Sequence, residues 1–152
     1  MKFSNGCWLN REGTEVFSPV QVYYVKKDEH LLVKEIGQFS CNELIICAPT
    51  HKIMDRGDTL GGVNLTIRIS SPMAEILRIR TDHYLGVNER TPDFELTMDS
   101  DNSLTVDNSD ELIIIHSGKL RLEINKNNWK MEYFRDNERI TESGWRDLAY
   151  VK

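Results

Sequence analysis

Hydrophobic and polar residues alternate with a period of two along most of the chain. The alternating segments are 63–70, 77–82, 94–99, 120–125 and 129–134. This alternation predicts strands with one face on a core and the other in water. Shorter apolar runs predict further strands at 31–33, 44–46 and 20–24, the last with Val20, Val22 and Tyr24 on one face. The run 112–115 is apolar at every position, which is typical of a central strand.

Turn-forming residues separate these runs. Turn signals occur at 27–29, 71–72, 107–110, 117–118, 125–128 and 136–138, where Gly, Pro, Asn, Asp and Ser favour reversals of the chain. The polar, Gly-containing segment 51–62 predicts a long loop, and no stretch has a helical period. Roughly ten short strands at this spacing predict one all-β domain over residues 1–152, an antiparallel sandwich or barrel.

Size and charge narrow the function classes. At 152 residues a domain can bury about 68–70% of its unfolded surface, so no disulfide or metal is required for a core. The net charge of −5 argues against a nucleic-acid or membrane-surface partner, since both need clustered Lys and Arg. No apolar run reaches the length of a membrane helix, and the N-terminus has no apolar signal segment, so we expect a cytoplasmic protein.

The sequence indicates neither a metal site nor a cofactor site. Phosphate-binding glycine motifs and HExxH are absent. The four histidines are scattered, and packing or surface roles are the simpler interpretation: His30, His51, His83 and His116. The odd number of cysteines is a poor disulfide framework, and free thiols are expected at Cys7, Cys41 and Cys47.

One acidic segment has a partial likeness to a calcium loop. It begins with Asp99 and Asp101, and Asp110 stands at the twelfth place. The sixth place holds Leu104, where an EF-hand needs glycine for its sharp turn. An acidic hairpin is therefore the preferred interpretation.

Carboxylates and tryptophans are the side chains in this sequence that could act on or bind a sugar. Glycoside hydrolysis needs two carboxyl groups flanking the scissile bond, and no Asp or Glu here is placed as a convincing pair. Trp8, Trp129 and Trp145 could stack on a sugar ring. Trp129 begins an alternating segment, so a core position is the simpler interpretation for it.

Several ordered segments resemble bacterial α-xylosidases of glycoside hydrolase family 31. They span nearly the whole chain and include MKFSNGCWL (1–9), SPVQVY (18–23), LTIRISSP (65–72), ILRIR (76–80), SGKLRL (117–122) and FRDNERIT (134–141). The resemblance implies a galactose-mutarotase-like β-sandwich that precedes a catalytic (β/α)8 barrel. It also implies hydrolysis of α-xylosides or α-glucosides with retention, by two aspartates of the barrel.

A (β/α)8 barrel needs about 250 residues, so the resemblance implies a non-catalytic domain here. The string Trp145-Arg146-Asp147 is only superficially like a nucleophile motif. We therefore assign no catalytic, cofactor-binding or metal-binding residue to this chain. The resemblance also implies that the sandwich and its active-site loop continue past Lys152, which predicts an exposed sheet edge and a homo-oligomer formed through it.

Three functions are compatible with the sequence. The first is a structural domain that packs beside the barrel and shapes the active-site entrance. The second is a freestanding carbohydrate-binding module, which would need exposed aromatic rings. The third is an interaction module unrelated to sugars.

Overall fold

The computed structural model describes residues 12–29, 31–34, 36–84, 103–144 and 147–152. The predicted strand at 94–99 and most of the acidic segment that begins at Asp99 lie outside these ranges. So do some of the residues considered above: Cys7, Trp8, His30 and Trp145.

The described residues form thirteen strands and one 3-10 turn, Gly57–Leu60. The strands are β1 (Val16–Phe17), β2 (Tyr24–Lys27), β3 (Leu31–Leu32), β4 (Gly37–Cys41), β5 (Glu43–Pro49), β6 (Asn64–Ser70), β7 (Arg78–Asp82), β8 (Leu104–Asn108), β9 (Leu112–Ser117), β10 (Leu120–Asn125), β11 (Lys130–Arg135), β12 (Glu138–Ser143) and β13 (Tyr150–Val151). In the part of the chain that is described, no helix is long and apolar enough to cross a membrane.

The strands form two sheets and a small ribbon. One sheet has the order β3-β2-β5-β6-β7, and the other has the order β12-β11-β10-β9-β8-β4. The ribbon pairs β1 with β13. All of these strand pairs are antiparallel, and both sheets contribute to one apolar core. The predicted all-β antiparallel sandwich is confirmed.

The core consists of the alternate, inward-facing side chains of both sheets. From β6 and β9 they include Leu65, Ile67, Ile69, Ile113 and Ile115, all with 0% exposure. Burying one such side chain contributes roughly 1.5–3 kcal/mol. β-Branched residues also suit a pleated surface, so the same residues favour both the strands and the core between them.

Hairpin turns form where the sequence predicted them. Gly118 has φ 58° between β9 and β10, and Asp136 and Asn137 have φ 48° and 69° between β11 and β12. Two consecutive positive φ values match the tight turns that fit the twist of paired strands. Asp28 (φ 43°) turns the chain between β2 and β3, and its Oδ1 accepts hydrogen bonds from the backbone N–H of Asn42 and Glu43.

A buried hydroxyl pair joins the two sheets after the predicted Ser-Pro turn. Ser71 Oγ lies 2.7 Å from Ser117 Oγ and donates to the carbonyl of Met73 at 2.9 Å. A hydroxyl has one proton to donate, so Ser117 is the donor to Ser71. Ser71 follows β6 and Ser117 ends β9, so this hydrogen bond links the two sheets and satisfies both buried hydroxyl groups.

Four strands, β1, β4, β8 and β13, were missed, and β12 was only implied. Strands β1 and β13 are only two residues long each. Strand β4 has one large apolar residue, Phe39, and so lacks a recognisable alternation. The prediction placed Asp107 and Asn108 in a turn, whereas both belong to β8, where Asn108 is buried. Strand β12 is exposed along almost its whole length, because backbone pairing with β11 forms it without burial.

Three positions differ from the predicted strand pattern. Val25, not Tyr24, faces the core from β2. The alternation is interrupted before the strand begins, because the backbone N–H of Val22 donates to the carbonyl of Lys126 and that of Tyr23 donates to the carbonyl of Cys47. Trp129 is buried as predicted but lies in a turn with φ 49°. In β9, Ile114 lies between two buried isoleucines and is only half-buried. The strand is therefore central but not fully buried on both faces.

The sandwich has two distinct ends. At the end that we call the loop end, β5 runs into the loop 50–63, β7 ends at Asp82, and Val22 bonds to the β10–β11 turn at Lys126. The opposite end, which we call the turn end, holds Ser71, Gly118 and the β11–β12 turn. The predicted long loop is confirmed, with the 3-10 turn inside it.

Replacing Ile115 by Ala should lower the free energy of unfolding by about 2–5 kcal/mol, because the truncated side chain leaves a cavity in the core. Urea unfolding followed by circular dichroism measures this loss. The matched control is Ile140→Ala, since Ile140 is 57% exposed on β12, and its effect should stay within about 0.5 kcal/mol. Equal losses in the two variants would contradict the arrangement of the core.

Candidate functional site

The three most exposed large apolar side chains among the described residues all lie at the loop end. Leu60 is 91% exposed, Met54 84% and Tyr84 76%, whereas the next most exposed, Ile36, is at 62%. Single exposed apolar residues are ordinary, but a group of them at one place marks an interaction surface. The loop end is therefore the candidate functional site.

Two aspartates hold the loop by accepting backbone hydrogen bonds. Asp58 Oδ2 accepts from the N–H of Met54 at 2.8 Å and of Asp55 at 3.2 Å. Asp55 Oδ1 accepts from the N–H of Gly57 at 2.7 Å and of Asp58 at 3.3 Å. The two N–H groups lower the pKa of Asp58, because they stabilise its carboxylate. Side chains of this type fix turns without any help from a core.

The base of the loop is closed by Thr50 and His51. Thr50 Oγ1 donates to the carbonyl of Val63 at 2.8 Å. His51 Nε2 lies 2.8 Å from the carbonyl oxygen of Asp58, and a carbonyl only accepts, so this nitrogen carries the proton. The His51 ring packs on Gly62, whose φ is +85° and whose added Cβ would lie 2.6 Å from His51 Nδ1. The loop is thus folded against its own base.

The β1–β13 ribbon lies beside this loop. Backbone hydrogen bonds of 3.0 Å join Glu15 and Lys152 in both directions. The Phe17 ring stacks on Tyr150 with centroids 6.0 Å apart, and Tyr150 stacks on His83 at 4.0 Å. Phe17 also lines a cleft of about 420 Å³ together with residues of the 50–63 loop. His83 is therefore a packing histidine, as the sequence predicted, and His116 is half-buried within β9.

A second cleft lies between the same loop and Tyr23. Its volume is about 440 Å³, and its lining includes Tyr23, Met54 and Arg56. The Tyr23 ring lies 5.9 Å from the Tyr24 ring at an angle of 59°, and Lys26 Nζ lies 5.5 Å from the Tyr24 ring. The prediction turned Tyr24 inward, so it missed this exposed aromatic pair.

One pair of carboxylates faces across neighbouring strands, and its surroundings make it structural. Glu132 on β11 pairs in register with Glu142 on β12. Lys130 Nζ lies 3.0 Å from Glu132 and 3.1 Å from Glu142, and Arg139 contacts both. Lys130 lowers the pKa of Glu142, whereas a general acid working near neutral pH needs a raised pKa.

The two described cysteines are free and buried, as the sequence predicted for thiols. Burial raises the pKa of Cys41 to about 12 and also raises the pKa of Cys47. A nucleophilic cysteine needs a lowered pKa, so neither thiol is activated. Within the described ranges, no group of three or more His, Cys, Asp or Glu could hold a metal ion.

Comparison with known proteins finds alpha-xylosidases among the curated relatives of this chain. The chain is 29% identical over 152 residues to the alpha-xylosidase XylQ of Lactiplantibacillus pentosus, a match that covers 99% of this chain and 18% of that protein. It is 29% identical over 127 residues to an alpha-xylosidase of Emericella nidulans, which covers 82% of this chain and 14% of that protein. No protein-family model matches the chain.

These matches confirm the resemblance to α-xylosidases. The chain spans less than a fifth of the length of the curated relatives it matches. Its likeness is therefore to one part of those enzymes, and most of each relative has no counterpart in the match.

Replacing Gly62 by Ala should destabilise the loop by about 1–3 kcal/mol, because it strains a left-handed backbone and drives a methyl group into His51. Gly61→Ala is the matched control, since its φ is −111° and no atom lies within 4 Å of an added Cβ. Thermal unfolding and amide exchange of residues 50–63 measure both variants. A Gly61→Ala loss as large as that of Gly62→Ala would contradict this geometry.

The amide resonances of Met54 and Asp55 should titrate together, following Asp58. The pKa of Asp58 is lowered in the folded protein, so the contribution of its carboxylate is complete above the ordinary Asp pKa of about 3.9. It is lost only as the pH falls through the lowered value. NMR shifts against pH measure the midpoint, and Asp58→Asn should abolish the titration. A midpoint at or above about 3.9 would contradict the described hydrogen bonds.

Proposed function

We propose that this chain is the non-catalytic N-terminal β-sandwich domain of a retaining α-glycosidase of the α-xylosidase type, acting in carbohydrate metabolism. In this proposal it packs beside a catalytic (β/α)8 barrel of the same parent chain and shapes the entrance to the active site. The observation that carries the proposal is the match to 99% of this chain but only 18% of an alpha-xylosidase.

The fold is compatible with a catalytic barrel that lies elsewhere in the parent chain. The whole chain has 152 residues, and a (β/α)8 barrel alone needs about 250. The described elements are strands and one 3-10 turn, which cannot supply the helices that surround such a barrel. The reactive aspartates that the resemblance implies therefore belong to another part of the parent, and α-xylosides or α-glucosides are the expected substrates.

The charged side chains of the six-stranded sheet support a scaffold role. Glu132 and Glu142 are neutralised by Lys130 and Arg139, and Arg121 lies 3.0 Å from Glu123. Paired ions at exposed positions keep a sheet face hydrated and contribute little to stability. They do not converge on a cleft that could hold a sugar between two free carboxyl groups.

A carbohydrate-binding module is the second candidate, and the Tyr23–Tyr24 pair favours it. Both rings are partly exposed, Tyr23 lines an open cleft, and aromatic faces suit sugar rings. The two rings meet at 59°, however, so they do not form one flat platform. Binding by this pair would be compatible with either a freestanding module or a domain of an enzyme.

Strand β12 is one edge of the six-stranded sheet. Its charged residues, among them Glu138, Arg139 and Glu142, discourage pairing with another strand. The exposed edge expected after Lys152, and a homo-oligomer formed through it, stay predictions that sedimentation can test, and the cytoplasmic location also stays a prediction.

The 152-residue chain should not hydrolyse an aryl α-xyloside, whereas the parent enzyme should, because the reacting carboxylates are absent from this domain. Release of the aryl group measures both rates. Glu132→Gln and Glu142→Gln in the parent are the controls and should leave the rate unchanged, because both residues only form ion pairs. Turnover by the isolated chain, lost in these variants, would overturn the proposal.

Titration of the isolated chain with xylose, followed by tyrosine and tryptophan fluorescence, distinguishes a carbohydrate-binding module from a scaffold domain. Saturable binding that Tyr23→Ala and Tyr24→Ala abolish would favour a carbohydrate-binding module. An unchanged signal would leave the scaffold role as the better account.

A further inference from the structure

We propose that the loop end is the surface on which the catalytic domain of the parent docks, with Met54 and Leu60 as its central apolar contacts. This inference rests on the proposed function and adds to it the face that is used. It assigns the 50–63 loop to an interface between domains of one chain.

The exposure of these side chains is the first support. Leu60 and Met54 are the two most exposed large apolar residues of the described chain, and both stand on the same loop. Tyr84 lies at the same end of the sandwich, because β7 pairs with β6 and ends near the point where the loop enters β6. An apolar group of this kind is typical of a surface that another protein surface covers.

The order of the loop is the second support. Asp55 and Asp58 accept four backbone N–H groups within the loop, and His51 and Thr50 close its base. The backbone that carries Met54 and Leu60 is therefore fixed before any partner arrives. A preorganised surface loses less conformational entropy on binding, which suits a loop that serves as an interface.

The position of the last described residues identifies the occupant. Lys152 pairs with Glu15, and the adjoining Phe17 lines a cleft with the loop. A polypeptide that continues from Lys152 would therefore leave the sandwich at the loop end. More than four fifths of the alpha-xylosidase XylQ lies outside the match, so a large domain of the parent is available to cover this surface.

The turn end provides a reference within the same molecule. Glu75 and Arg135 form an ion pair there at 2.7 Å, and Lys119 and Asp136 form another at 3.9 Å. Met73, a described apolar side chain at this end, is 50% exposed. Met73 lies at the opposite end of the sandwich from Met54, so it provides an internal reference for the loop end.

Oxidation of methionine by dilute peroxide tests the inference, because the rate follows the exposure of the thioether. Mass spectrometry gives the Met54 and Met73 rates in the isolated chain and in the full-length parent. In the isolated chain Met54 should react at least as fast as Met73. In the parent the Met54 rate should fall about tenfold, while the Met73 rate should change less than about twofold.

A matched pair of variants tests the same surface in the parent. Leu60→Asp should restore most of the Met54 reactivity, because a buried carboxylate opposes docking. Ile140→Asp places the same charge on β12 and should leave Met54 protected. Both positions are exposed, so unfolding curves of the isolated variants should match that of the unchanged chain.

The remaining outcomes separate the inference from the proposed function. Unprotected Met54 together with protection elsewhere on the sandwich would overturn the inference and leave the domain role intact. No protection anywhere on the sandwich would overturn both. Protection of Met54 in the isolated chain that rises with concentration would assign the surface to a second copy, and would also overturn the inference.

Discussion

The structure depends on the contact between the inward faces of two antiparallel sheets. Leu65, Ile67 and Ile69 of β6 and Ile113 and Ile115 of β9 are completely buried in one core. Each strand uses every second position for this contact, which leaves the other positions to solvent. Packing of this kind can hold a sandwich together by itself, since the hydrophobic effect is the dominant favourable contribution to folding.

The same alternation determines which positions carry charged side chains. Charged residues occupy the outer faces, where Lys130, Glu132, Arg139 and Glu142 neutralise one another. A reactive carboxyl pair needs partial shielding from water and a raised pKa, and the outer face of a hydrated sheet provides neither. The loop end is different, because backbone hydrogen bonds hold a loop whose apolar side chains have no cover.

The sequence predicts the parts of the fold that depend on local pattern. Alternation predicted β6, β10 and β11, and turn residues predicted the reversals at Gly118 and at 136–137. The turn at 136–138 only implied β12, which backbone pairing forms without a buried face. Nothing in the sequence predicted the stacking of Phe17 on Tyr150, which joins opposite ends of the chain. The polarity of segment 51–62 predicted the loop but gave no sign that Met54 and Leu60 face solvent.

Under the proposed function, this scaffold belongs to a longer enzyme whose reacting groups lie in another part of the chain. A retaining glycosidase forms a covalent bond between its nucleophile and the sugar. Trapping that intermediate in the parent with a fluorinated α-xylosyl fluoride, followed by peptide mapping, locates the nucleophile directly. The account predicts the labelled carboxylate outside these 152 residues. A label on any Asp or Glu within them would contradict it.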